Sequence, residues 1–170
     1  RTQGIDDPLN AQLPPMELLE EANKHTDLGN LIIDEANSTV YLEDSMMRLD
    51  VGAIAKGYAT ECVVKAAKEK GYTDFLLSVG GNVRAVGGKD KEKIPWSVGI
   101  QNPDKESEQY SLYTLALKDL SLVSSGNYER YYTVNGKIYH HIIDPETLMP
   151  AEYFTAVSVV CEDSGMADML

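Results

Sequence analysis

Between Arg48 and Ala59 the chain runs Arg-Leu-Asp-Val-Gly-Ala-Ile-Ala-Lys-Gly-Tyr-Ala, placing a carboxylate (Asp50), a hinge glycine (Gly52) and an amine (Lys56) close together. The pattern predicts a short strand passing into a helix. Such a junction aims backbone N–H groups, the positive end of a helix dipole and a lysine ammonium into one small volume, a chemistry suited to phosphate. Lys56 is expected to be buried. Asp50 and Lys56 do not have the spacing of a helical ion pair, so a simple surface salt bridge explains them poorly. A strand-to-helix turn with one glycine is also an ordinary structural device. Asp168, near the start of the last expected helix, reads on its own as a cap. His141 has the ordinary pKa near ~6.5 that suits proton transfer, although a lone histidine is more often structural. His140 beside it is expected to face the other side of a strand.

Further segments extend the pattern. They are Leu77-Ser78-Val79-Gly80-Gly81-Asn82-Val83-Arg84, Gly99-Ile100-Gln101-Asn102-Pro103, Ser124-Ser125-Gly126-Asn127-Tyr128-Glu129-Arg130, His141-Ile142-Ile143-Asp144-Pro145 and Ala167-Asp168. Together with Asp50 to Lys56, and in this order, they resemble the ApbE family, flavin transferases that move FMN from FAD onto a threonine or serine of another protein. The resemblance runs from about Leu31 onward. Several motifs in order are far more specific than any one of them.

The resemblance implies an ApbE-like core and a set of roles. Asp168 would be a magnesium ligand, with the backbone carbonyl of Ala53 as a second. A further hydroxyl ligand of the family would fall beyond Leu170. Asp50 and Lys56 would contact FAD, the lysine offsetting diphosphate charge and the aspartate accepting from donors on the cofactor. Ile142 would give backbone or apolar contact. Ser125, with Gly126 after a strand, is open between binding phosphate or polar flavin edges and serving only as a turn. His141 would act as general base toward the acceptor hydroxyl, with electrostatic help to the diphosphate as the competing role. The implied partners are FAD and an acceptor flavoprotein subunit of an electron-transport complex, and AMP would leave. The implied location is outside the cytoplasmic membrane, anchored to it. A metal-dependent FAD pyrophosphatase using water at the same site, and a noncatalytic flavin-binding protein, are the alternatives.

Two departures from the family pattern stand out. Asn127 replaces a usual aspartate, which removes a charge and keeps hydrogen bonding. Leu148 stands where the family's Asp-Pro-x-Thr-Gly-x-Pro loop has glycine, and leucine does not cheaply adopt positive φ. A differently shaped loop is therefore expected. The family's N-terminal region helps form the flavin pocket and is not matched. The chain opens on Arg1 and closes as a helix begins, so it is expected to be part of a longer protein and to hold no flavin by itself.

A hydrophobic content of 43% in 170 residues allows a sizeable core. The net charge of −12 argues against nonspecific nucleic-acid binding. Cys62 and Cys161 lack any C-x-x-C arrangement, so a zinc site is not expected, and buried thiols are the simpler reading.

The elements that would hold these residues alternate little between strand and helix, and G-x-G-x-x-G is missing, so a doubly wound domain is disfavoured. The expected fold is α+β: a largely antiparallel mixed sheet with a few packed helices. Residues 1–30 are expected to be a linker and N-terminal helix, and residues 31–170 the core. Pro14-Pro15 opens a helix that Gly29 would close. Strands are expected at 31–33, 39–42, 75–79, 83–86, 96–100, 112–117, 120–123, 131–134, 137–141 and 156–161, with Asn135-Gly136 as a hairpin turn. Residues 53–70 form the strongest helix, with Ile54, Tyr58, Ala59, Cys62, Val63 and Ala66 as its apolar stripe and Gly71 as its C-cap. Ser164 is expected to cap the final helix.

Overall fold

The structure is a computed structural model that describes residues 10–170. Most of the expected linker lies outside the described residues. Two compact units emerge. One holds the described residues up to Asp50 together with Asn127–Tyr153; the other holds Val51–Gly126 and Phe154–Leu170. No described helix is long and apolar enough to cross a membrane.

In the second unit, a four-stranded antiparallel sheet has the order β10-β7-β4-β3. Its strands are β3 (Phe75–Val79), β4 (Asn82–Val86), β7 (Ser121–Gly126) and β10 (Ala156–Cys161). Gly80 and Gly81 join β3 to β4 with φ +50° and +88°. A tight hairpin of this hand needs positive φ at both central residues, which glycine takes at little steric cost. A second hairpin, β5 (Trp96–Gln101) with β6 (Ser111–Leu117), packs on the sheet. Strand alternation sends Val83 and Ala85 to the hairpin side, where Ala85, Val98, Leu117 and Leu122 form the dry core. The other residues of β4 point to the helices.

Helix α2 (Ala55–Glu69) and helix α3 (Ser164–Met169) cover that opposite face. Val51 O accepts from the N–H groups of Ile54 and Ala55 and starts α2. Gly71 at φ +88° ends it, as expected, with Gly71 N donating to Lys68 O and Tyr72 N to Ala67 O. Its expected apolar stripe is not its buried face. The helix buries Gly57, Thr60 and Val64, while Tyr58 and Val63 stay 69% and 52% exposed. Cys62 is exposed and Cys161 half-buried, so neither is the buried thiol expected. The cap of α3 is Asp163, whose carboxylate accepts from Met166 N at 2.8 Å; Ser164 is the first helical residue.

The first unit holds α1 (Met16–Asn23), then the hairpin β1 (Leu31–Asp34) with β2 (Thr39–Leu42), and the hairpin β8 (Tyr131–Val134) with β9 (Lys137–His140). Gly29 does not close α1; it lies in a short 3-10 turn, Leu28–Asn30, capped by Asp27. Asn135 and Gly136 take φ +50° and +79°, the hairpin turn read from their types. Tyr132 and Tyr139 stack across the strands at 5.8 Å between ring centres. Leu148 adopts φ +58°, contrary to the expectation that leucine would reshape this loop. The backbone holds it there: Leu148 N donates to Asp144 O and Asp144 N to Met149 O, at 2.8 and 2.9 Å.

Candidate functional site

The first turns of α2 and α3 meet at a contact that only glycine permits. A Cβ on Gly57 would lie 2.2 Å from the Ser164 carbonyl oxygen and 2.7 Å from Gly165 Cα. The two backbones touch, and each helix gives a carboxylate to the other. Asp168 Oδ2 accepts from Gly57 N at 2.7 Å, and Glu61 Oε1 accepts from Ser164 N at 2.8 Å. Both bonds satisfy amides of a first helical turn, which have no partner within their own helix. Asp168 therefore does act as a cap, but for α2 and not for its own helix.

This diversion has a local result. In an uninterrupted helix the Gly57 N–H would go to the carbonyl of residue 53. Given instead to Asp168, it leaves the Ala53 carbonyl without that donor. The Asp168 side chain is 2% exposed, and its second oxygen, Oδ1, lies 3.8 Å from Lys56 Nζ. The Lys56 side chain is 40% exposed, so it is not the buried lysine expected. Its stem runs past the β3–β4 turn, where a Cβ on Gly80 would come 3.9 Å from Lys56 Cδ. Gly81 O accepts from Ser124 N at 2.9 Å and ties the turn to β7 beside Ser125, which is exposed.

The donor set suits a hard cation: one carboxylate oxygen and one carbonyl oxygen left over from helix formation, with an ammonium alongside to share an anionic ligand. Among the described residues no group of three or more His, Cys, Asp or Glu side chains is placed to hold a metal. A site with a single side-chain ligand is not of that kind.

Behind Asp168 lies a charged interior that sequence reading left unassigned. Arg84, on β4, is 6% exposed; its Nε donates to Glu61 Oε1 at 2.9 Å and its NH1 to Ala85 O at 2.7 Å. Ser164 Oγ bonds to Asn82 Oδ1 in the same interior. The available signal was an arginine inside the buried run Val83-Arg84-Ala85-Val86, since such a charge needs an acid from elsewhere in the fold.

Of the residues singled out by sequence, Ala53, Lys56, Ser125 and Asp168 belong to this unit, and Asp50, His141 and Ile142 to the other. Asp50 is exposed and Ile142 is 38% exposed. His141 Nδ1 lies 3.3 Å from the Arg130 carbonyl, which it can meet as an N–H donor. His140 is buried and its Nδ1 accepts from Ile142 N at 3.3 Å. Asp144, also buried, accepts from Glu146 N at 2.8 Å and from the Tyr153 hydroxyl at 2.9 Å. Those donors hold its carboxyl below the usual carboxylate range, and the same contact pushes the Tyr153 phenol up.

Comparison with known proteins agrees over the whole length. A sequence model described as the ApbE family matches residues 2–170. The FAD:protein FMN transferase of Klebsiella pneumoniae (strain 342) is 35% identical over 140 residues, covering 82% of this chain and 42% of that protein. That of Treponema pallidum (strain Nichols) is 34% identical over 173 residues, covering 94% and 48%. The crystal structure of the ApbE protein of Thermotoga maritima superposes with a TM-score of 0.85 at 35% identity, over 94% of this chain and 50% of that one. The chain thus spans about half the length of the curated relatives it matches.

Proposed function

The chain belongs to the ApbE family, and from that membership we propose that it carries the diphosphate-handling part of an FAD:protein FMN transferase. The observation that carries the reading is the α2 start: Asp168 takes the Gly57 amide with one oxygen, the Ala53 carbonyl lacks that donor, and Lys56 stands 3.8 Å from the other carboxylate oxygen. Asp168 Oδ1 and the Ala53 carbonyl would hold magnesium, which as a hard cation would offset charge on a diphosphate. Lys56 would donate a charge-assisted bond to the diphosphate oxygens. Ser125 meets polar edges of the cofactor, Asp50 accepts from its donors, and Ile142 gives backbone or apolar contact.

The chemistry is phosphoryl transfer to a Thr or Ser hydroxyl. His141 takes the hydroxyl proton. The hydroxyl oxygen bonds to the FMN-side phosphorus as the diphosphate P–O bond breaks, and AMP leaves with the bonding pair. The acceptor is a flavoprotein subunit of an electron-transport complex, modified outside the cytoplasmic membrane by an anchored enzyme. Positioning and charge neutralisation supply most of the acceleration in reactions of this kind.

The test is mass spectrometry of a candidate acceptor after incubation with the full-length protein, FAD and magnesium. A stable mass increase equal to FMN on Thr or Ser, with AMP released, is expected. FMN and AMP formed with an unmodified acceptor would mean hydrolysis instead, and bound but unreacted FAD would mean a binding protein.

A further inference from the structure

Glu61 and Asp168 occupy equivalent places in the reciprocal contact. Glu61 lies one turn after Gly57 on α2, and Asp168 one turn after Ser164 on α3. The bonds Asp168 Oδ2 to Gly57 N and Glu61 Oε1 to Ser164 N fasten the two helices in opposite directions, 2.7 and 2.8 Å long. We propose that Glu61, clamped by Arg84, is a positioning residue for Asp168: it fixes the start of α3 so that Asp168 reaches Gly57 and keeps its other oxygen free for a cation. This rests on the reading of Asp168 as a cation ligand.

Three observations carry it. First, α3 is only six residues long, and Ser164 at its start and Asp168 at its end are both bonded to α2, so these ties help set its axis beside its packing on α2 and the sheet. Second, Glu61 is itself immobilised. Arg84 Nε holds the very oxygen that accepts from Ser164 N, and Arg84 is fixed in turn by its bond to the Ala85 carbonyl. The chain of contacts therefore runs from the rigid sheet to the helix that carries Asp168. Third, Ser164 has a second tether, its Oγ on Asn82 Oδ1, also from β4. A strand two bonds away thus dictates where a carboxylate on a short helix can sit. Partners that orient metal ligands commonly influence affinity by about 10–100-fold when removed.

Loss of Glu61 alone would leave Arg84 buried and unpaired, and the resulting instability would mask any effect on position. The experiment therefore removes the charge pair as a unit. Full-length protein with FAD is titrated with Mn2+, and the free ion is followed by electron paramagnetic resonance. Glu61→Leu/Arg84→Met lacks the acceptor for Ser164 N; Glu61→Gln/Arg84→Met keeps an amide oxygen in its place. Both lack the buried charges, so any difference in melting temperature is confined to the Ser164 N–H bond. The glutamine variant should bind Mn2+ within about threefold of the unsubstituted protein, and the leucine variant about tenfold or more weakly. Glu61→Met/Arg84→Met repeats the design should the leucine variant not fold. Equal Mn2+ affinity in the glutamine and apolar variants would overturn the positioning role. Asp168→Asn is the reference: if it binds Mn2+ as the unsubstituted protein does, the cation-ligand reading of Asp168 fails, and the positioning role fails with it.

Discussion

The two units are built on different principles. The unit of Val51–Gly126 and Phe154–Leu170 holds every buried hydrophobic residue described except Met47, and its Arg84–Glu61 pair is interlocked with the start of α3. The other unit buries His140 and Asp144 among loops and two-stranded hairpins, tied by local polar bonds such as His25 to Asp44 at 2.6 Å and Tyr153 to Asp144 at 2.9 Å. Apolar burial is nondirectional and cooperative, whereas local polar ties contribute little net stability each. A scaffold of the first kind suits groups that must stay fixed, and one of the second kind suits groups that must adapt to a partner. Lys56 and Asp168 sit on the first; His141 and the Asp144–Met149 loop sit on the second.

That contrast is sharpest in catalysis. His141→Ala should leave FAD affinity nearly intact and slow transfer by roughly 10²–10⁴-fold, the usual range for a general base. Lys56→Ala should instead weaken FAD binding by about 1.5–3 kcal/mol, the worth of a charge-assisted hydrogen bond. FAD titration and single-turnover transfer on both full-length variants separate the two. Transfer by saturated His141→Ala at the normal rate would remove the base from this reading.

Stability should divide along the same line. Leu117, 2% exposed in the dry core, should cost about 2–5 kcal/mol when cut to alanine. Chemical denaturation would measure this, and a loss below 1 kcal/mol would mean that the hairpin does not seal the sheet. In the loop-built unit the expected change has the opposite sign. Leu148→Gly relieves the left-handed backbone at φ +58° and should stabilise by about 1 kcal/mol or less, because the added freedom of the unfolded glycine offsets part of the relief.

The smallest effect concerns pH. Hydrogen bonding to Asp44 raises the His25 pKa above its ordinary 6.5. A raised histidine contributes stability below the unfolded value and loses it as pH climbs through the folded one. Raising the pH above about 6.5 should therefore loosen the His25–Asp44 tie. In the other unit, Asp74 is held well below the usual carboxylate range by Lys93, then by Thr73 and the Gly88 amide. Its contribution is complete above the ordinary aspartate value and fades only as the pH falls below it. Amide protection near Asp44, after correction for the base-catalysed intrinsic rate, should fall between pH 6 and 9, while protection near Gly88 should stay constant. An equal response in both would break the distinction.

Much of the fold was legible because its signals are local. Asn135-Gly136 announces a hairpin by its backbone freedom, and the strand runs carry their own alternation. The face of α2 was not legible. Apolar content favoured Tyr58, Cys62 and Val63, yet the buried side is set by how closely α3 approaches, which selects Gly57 and Thr60 for their size. Glu61 and Arg84 were missed because their pairing joins a helix to a strand 23 positions away. Leu148 shows the converse limit: intrinsic preference predicted a reshaped loop, yet Leu148 takes positive φ with backbone bonds flanking it.

The missing side chain of Gly57 also decides how long α2 is. While the Asp168 carboxylate holds the Gly57 amide, the helix is prevented from claiming the carbonyl of Ala53 and winding back by another residue. Two helices of different length thus compete for one proton, and the shorter one prevails only while α3 lies against Gly57. Anything that lifted α3 away would let the longer helix close, withdrawing the Ala53 oxygen at the same moment as Asp168. In the proposed cation site, both oxygens would therefore be presented together or lost together.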